Sequence, residues 1–218
     1  MSAFQIASVI GYSIAIPAII GLIRYREIDK TYQPFILYCI LDVFNHSLSI
    51  ILAYSRGNNA LNSNVFVFIE AFLFILLFRN LGLFEKKRWL FSLLILSLAL
   101  VWITDNIILH DIRVTNSLFR IFYSFVLIFL SIQQINIRIA AAKQNLLYDA
   151  CFLVCCGIII YYPYKATNEV FFLIRLNASV GFYTNIFYIM IFINLIANLI
   201  FSRAMLWIPK KPKFISLH

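Results

Sequence analysis

Charge is scarce in this chain. Asp, Glu, Lys and Arg together make up 12% of 218 residues, where a soluble domain carries about 25%. Histidine occurs three times, as His46, His110 and His218, too few for the histidine-rich sites of membrane hydrolases and desaturases. The four cysteines are Cys39, Cys151, Cys155 and Cys156, with no Cys-x-x-Cys pair. That excludes a zinc ribbon and leaves them as small apolar packing residues. No Gly-x-Ser-x-Gly, His-Glu-x-x-His or phosphate-binding glycine loop occurs. The sequence therefore offers no catalytic residues, no metal ligands and no cofactor motif. No internal repeat and no Gly/Ser-rich joint divides the chain.

Apolar residues are abundant instead, at 63% of the chain with a mean hydropathy of +0.90. A water-soluble protein of this size could not bury that much apolar surface. Seven apolar stretches run through the sequence, each close to or above the roughly 20 residues that span a bilayer. They are read as residues 2–23, 34–54, 65–84, 89–109, 117–139, 146–162 and 183–207, the sixth continuing kinked past Pro163 to 173. The expected fold is all-α: a polytopic seven-transmembrane-helix bundle over 1–208, then a basic tail at 209–218.

The net charge is +9. Its distribution argues for membrane orientation and against nucleic-acid binding. The loops after spans one, three and five, with the tail, hold 13 of the 18 basic residues: Arg24, Arg26, Lys30, Arg79, Lys86, Lys87, Arg88, Arg138, Lys143, Arg203, Lys210, Lys211 and Lys213. The alternate side holds five, Arg56, Arg113, Arg120, Lys165 and Arg175. The basic-rich side is expected in the cytoplasm, which puts the N-terminus outside and the C-terminus inside. The first span has no Lys or Arg before it and Arg24, Arg26 and Lys30 after it, the pattern of a first membrane helix and not of a cleaved leader. Lysines 210, 211 and 213 are expected to serve membrane-surface or partner contacts.

Ionisable groups inside the spans are the most informative minority. Each costs at least about 2.5–3.5 kcal/mol near the bilayer centre, so each needs a partner, water or a proton. In the second span Asp42, Asn45 and His46 lie at i, i+3 and i+4, one helical face, with Tyr38 one turn earlier. That face cannot meet lipid. With the spans as read, His46 lies about 18 Å along its helix and Glu70 about 8 Å into the next one, which would bring them near each other. Lys165, Asn168 and Glu169 repeat the spacing in the sixth span, and Asn116 and Arg120 open the fifth. An outward-open pocket follows, with Asp42, Asn45, His46 and Glu70 as its floor and Arg120, Lys165 and Glu169 as its roof.

The competing reading is structural. Asn194 and Asn198, one turn apart in the seventh span, are best read as interhelical glue. Arg120, Lys165 and Glu169 also fit snorkelling or surface salt bridges. A single interhelical hydrogen bond is worth under about 2 kcal/mol, so Glu70→Gln is expected to leave the bundle folded. The seventh span carries only Arg203 as a charge, which excludes a retinal-type lysine.

Three stretches resemble a group of small seven-helix membrane proteins of Bacteroidota: Phe68-Ile69-Glu70-Ala71-Phe72, Asn116-Ser117-Leu118-Phe119-Arg120 and Cys156-Gly157-Ile158-Ile159-Ile160-Tyr161-Tyr162. The resemblance implies seven helices and a bacterial inner membrane. No activity is established for the group, so it implies no site residues.

Three functions stay open at this level. The first is a receptor-like or accessory signalling component that binds a small ligand or lipid. The second is a small transporter or channel. The third is an intramembrane lipid-modifying enzyme using Glu70 or Asp42 with His46 as acid and base. The expected partners are membrane lipids, a cytoplasmic or membrane protein and a small-molecule ligand, not nucleic acid. Apolar residues of the third and fourth spans are expected to close the inner half of the pocket, which favours binding over transport.

Overall fold

An apolar chain in lipid must satisfy its backbone hydrogen bonds within itself, and contiguous helices do so. The computed structural model describes residues 3–141, 145–174 and 179–211. Lys143, Arg175 and Lys213 of the charge count lie outside the described residues, as does the side chain of Arg56. Among the described residues all regular elements are helical apart from one isolated bridge, and seven helical runs are long and apolar enough to cross a membrane. The chain is a multi-pass membrane protein.

The first span joins α1 (Ala3–Gly11) to α2 (Ala15–Arg24) through a 3-10 turn at Tyr12–Ile14. The second is α3 (Gln33–Arg56), entered by the turn Lys30–Tyr32, which Asp29 caps by accepting from the Thr31 N–H at 2.9 Å. The third is α4 (Ala60–Asn80), and the fourth is α5 (Arg88–Ile103), which ends in a π-helical turn at Thr104–Leu109. The fifth, sixth and seventh are α6 (Leu118–Ala141), α7 (Ala150–Leu173) and α8 (Val180–Trp207). The N-terminal face carries the loops at 57–59 and 110–117, the end of α7 and the start of α8. The C-terminal face carries those at 25–29 and 81–87, residues 145–149 and residues 208–211.

Two boundaries differ from the sequence reading. α4 begins at Ala60, not near residue 65. Its polar start looked like loop, but each side chain has a partner. The Asn58 side-chain Oδ1 accepts from the Ala60 N–H at 2.8 Å, Asn62 donates to Asn45 at 2.8 Å, and Asn64 donates to the carbonyls of Ile112 and Val114. The sixth span is one helix through Pro163, beginning at Ala150, where Asp149 accepts from the Phe152 N–H at 2.9 Å.

Two helices are central. Within the spanning windows 56% of α7 and 50% of α4 is buried, against 17% for the fourth span. From Val65 to Phe78 α4 is apolar on every side but for Glu70, as a buried membrane helix is. α7 packs along both α6 and α8, and α3 along α4. Below mid-depth an aromatic layer fills the bundle: Tyr38 against Phe74 with centroids at 4.5 Å, Phe74 edge-on to Tyr162 at 6.0 Å, and Phe35 edge-on to Phe201 at 5.3 Å.

The C-terminal face is stitched between the two chain ends. Arg24 donates to the carbonyls of Met205 and Ile208. Asp29 N–H donates to Pro209 and Lys211 N–H to Glu27, while Lys210 pairs with the Glu27 carboxylate at 3.0 Å. Lys210 and Lys211 therefore fasten the first loop, a role the sequence reading did not foresee for them.

Candidate functional site

All seven sequence-derived candidates, Asp42, Asn45, His46, Glu70, Arg120, Lys165 and Glu169, line one cavity of about 290 Å³. Six spans contribute to its wall, and the fourth does not. α3 presents Tyr38, Asp42, Asn45 and His46 at helical spacing, the face the sequence pattern marks. α4 adds Ser63, Phe66, Val67 and Glu70; α6 adds Arg120; α7 adds Tyr161, Lys165 and Glu169. α1 and α8 close the side with Gly11, Phe187, Met190 and Asn194 among others.

Glu70 is its best-satisfied acid. The helix start at Ala60 puts it ten residues into α4, about 15 Å deep, twice the depth expected from sequence. Its Oε1 accepts from the Tyr162 hydroxyl at 2.6 Å. Its Oε2 accepts from the Tyr123 hydroxyl at 2.7 Å and from Lys165 Nζ at 3.1 Å. Three helices meet at that carboxylate. The expectation that Glu70 carries one dispensable bond is corrected: it carries three, one of them an ion pair.

Arg120 and Glu169 form the second pair, Nη1 to Oε1 at 3.5 Å. Arg120 also donates to Ser63 Oγ at 2.9 Å, Asn64 Oδ1 at 3.0 Å and the Asn116 carbonyl at 3.1 Å. Ser117 donates to Glu169 Oε2 at 2.6 Å. Lys165, Glu169 and Arg120 are only 7%, 7% and 8% exposed. They do not snorkel. Long side chains that begin near a helix end turned inward because carboxylates and carbonyls there compensate them better than the interface would. Lys165 Nζ also sits 5.2–5.4 Å from the ring centroids of Tyr123, Tyr161 and Tyr162, within cation–π range.

His46 goes elsewhere. Its Nε2 lies 3.0 Å from the Ser8 carbonyl, which can only accept, so Nε2 carries the proton. Tyr12 meets its ring edge-on at 4.7 Å. Gly11 makes room: a Cβ there would stand 2.3 Å from His46 Cε1. His46 and Glu70 line the same cavity, but among the described residues no hydrogen bond or ion pair joins them. Helical spacing placed His46 on the right face; the close approach of α1 was not legible.

Asp42 is left without a cation. Among the described residues no Lys or Arg lies within ion-pair distance, and its hydrogen bond from the Tyr38 hydroxyl is long, at 3.5 Å. Asn45, one turn on, accepts from Asn62 at 2.8 Å and lies within side-chain hydrogen-bonding reach of the Asp42 carboxylate.

Other polar groups of the same half turn out structural. Asp105 Oδ2 accepts from the Phe119 N–H at 2.8 Å and starts α6, with His110 Nδ1 3.1 Å from its other oxygen. Asn106 and Asn116 bond each other at 3.1 Å. Asn198 donates to Ser13 Oγ at 2.8 Å, the glue expected of it, whereas Asn194 lines the cavity. Sequence reasoning missed Tyr123, Tyr162 and Ser63. A tyrosine in an apolar helix is ordinary, and nothing local marks which hydroxyl meets a carboxylate.

Tyr38 lines the cavity and joins it to an aromatic layer with Phe74, Tyr162 and Phe201, each at most 5% exposed. The layer draws on the second, third, sixth and seventh spans; of the third and fourth expected from sequence, only the third contributes, through Phe74. No family model, curated protein or solved structure matches this chain.

Proposed function

We propose that this protein is a receptor-like or accessory signalling component that binds a small polar ligand in the cavity among its helices. The carrying observation is that seven polar side chains from four spans, all picked out by helical spacing or depth, converge on one cavity of about 290 Å³. That is near the small end of ligand pockets, roughly 300–1,000 Å³. A ligand touching six spans gains differential contacts with any rearrangement of them, which is what a population shift requires. Short loops leave the output to a separate protein at the C-terminal face.

The proposed setting is a bacterial inner membrane, N-terminus outside. Arg120 and Lys165 are buried within the bundle, so two of the five basic residues counted on the N-terminal side do not serve as loop charges, against 13 counted opposite. That contrast favours a cytoplasmic C-terminal face. The buried aromatic layer adjoining the cavity favours binding over conduction, because a path needs polar groups at successive depths.

The test is thermal unfolding of purified protein against a library of small polar metabolites, repeated with Met190→Trp, which fills the cavity. A saturable stabiliser that fails on Met190→Trp supports the reading. Stabilisers that act equally on both proteins, or none at all, sink it. Flux of the bound compound into proteoliposomes would move the assignment to a transporter.

A further inference from the structure

Resting on the reading that this cavity binds a ligand, we propose that the ligand is a small organic cation whose ammonium group is held by Asp42. The argument is an inventory of charge. Glu70 is matched by Lys165 at 3.1 Å, and Glu169 by Arg120 at 3.5 Å and by the Ser117 hydroxyl. Each cation of the cavity wall thus has its carboxylate. Asp42 is the surplus acid: its neighbours are neutral, a tyrosine hydroxyl at 3.5 Å and the Asn45 amide, and no cation among the described residues lies within ion-pair distance.

Its position makes that surplus costly. Asp42 is nine residues into α3 from Gln33, about 14 Å along the helix and near mid-bilayer. An unpaired charge at such depth is held by a partner or gives way to a neutral form. An incoming ammonium supplies the partner. An incoming carboxylate meets two cations already engaged and one free anion, and is repelled.

The surrounding groups suit an organic cation better than a bare ion. Tyr38, Phe66, Tyr161 and Phe187 line the same cavity, and aromatic faces attract ammonium groups once water is excluded. The His46 Nε2–H is engaged by the Ser8 carbonyl. The cavity volume suits a head group with a short substituent, not a lipid chain or a peptide.

The experiment uses the full-length protein in detergent, with isothermal titration calorimetry and thermal unfolding. The cation arm is choline and phenethylamine. The neutral arm is the carbon isostere of choline and phenethyl alcohol. The anion arm is phenylacetate, and sodium is compared with potassium for a bare-ion site. The expected result is saturable binding of a cation at least tenfold tighter than its neutral partner, lost in Asp42→Asn, kept in Asp42→Glu and unaffected by Asp149→Asn on the opposite face. Size-exclusion profiles establish that each variant is folded. If neutral or anionic probes bind as well as the cations, or if cation binding survives Asp42→Asn, the ammonium assignment falls while the ligand-binding reading stands. Stabilisation by sodium alone replaces the organic cation by a metal ion and also overturns it. If no probe of any charge binds the intact protein, both readings fail.

Discussion

Replacing Glu70 by Gln should be severe for so small a change. Three donors converge on the carboxylate, Tyr123 and Lys165 at Oε2 and Tyr162 at Oε1. A glutamine offers one acceptor oxygen and a donor amide in their place. One oxygen cannot serve all three, and Lys165, 7% exposed, loses its counter-charge. Breaking a buried ion pair from one side costs about 3–5 kcal/mol. At about 2–4 °C per kcal/mol for a chain of this length, the melting temperature falls by roughly 6–20 °C. Lys165→Met should cost a similar amount, since it leaves the Glu70 charge alone at mid-depth. The double variant should cost less than the sum, with a coupling of about 1–3 kcal/mol, because the glutamine amide can donate to Tyr123 once the ammonium is gone. Thermal unfolding of the four proteins in one detergent closes the cycle. Additive effects, or a Glu70→Gln shift under about 2 °C, would refute the pairing as the organising contact of α4, α6 and α7.

Other perturbations test other parts of the structure. Gly157→Ala places a Cβ 2.3 Å from the Phe201 ring and should lower stability by about 1–3 kcal/mol through overpacking of α7 on α8, read as a drop in melting temperature; an unchanged value would mean that the α7–α8 packing is looser than described. Asp29 accepts from the Thr31 backbone N–H, which holds its carboxyl below the ordinary 3.8. A carboxyl held low stabilises the fold above its unfolded value and loses that contribution as pH falls through its folded value. The advantage of wild type over Asp29→Asn should therefore be constant near neutrality and shrink only below about pH 4, and a loss between pH 5 and 7 would contradict the cause. Reporter fusions after Ala60 and at Asn177 should be active outside and those at Lys87 and Lys210 inside; a cytoplasmic reporter active after Ala60 would reverse the orientation.

Number and order of the spans were legible because each is a local property. A run of apolar residues must form its own helix in lipid, whatever lies beside it. The same locality explains the candidate faces: Asp42, Asn45 and His46 share a side of α3 by spacing alone, as do Lys165 and Glu169 on α7. The start of α4 was misjudged because Asn62, Ser63 and Asn64 look like loop residues until their partners on α3, α6 and the 110–117 loop are known.

Helical period fixes which face a side chain occupies, but not the depth of one helix against another or the azimuth at which they dock. Those follow from packing over the whole bundle. Only the tertiary structure therefore decided that Lys165 reaches Glu70, 95 residues away in sequence, that His46 turns to the first span, and that Asp42, of the cavity's acids, has no cation among the described residues. The membrane and the polar stripe were written in the sequence as local patterns. Which charges compensate one another, and which one is left for something else, depended on distances that no local pattern encodes.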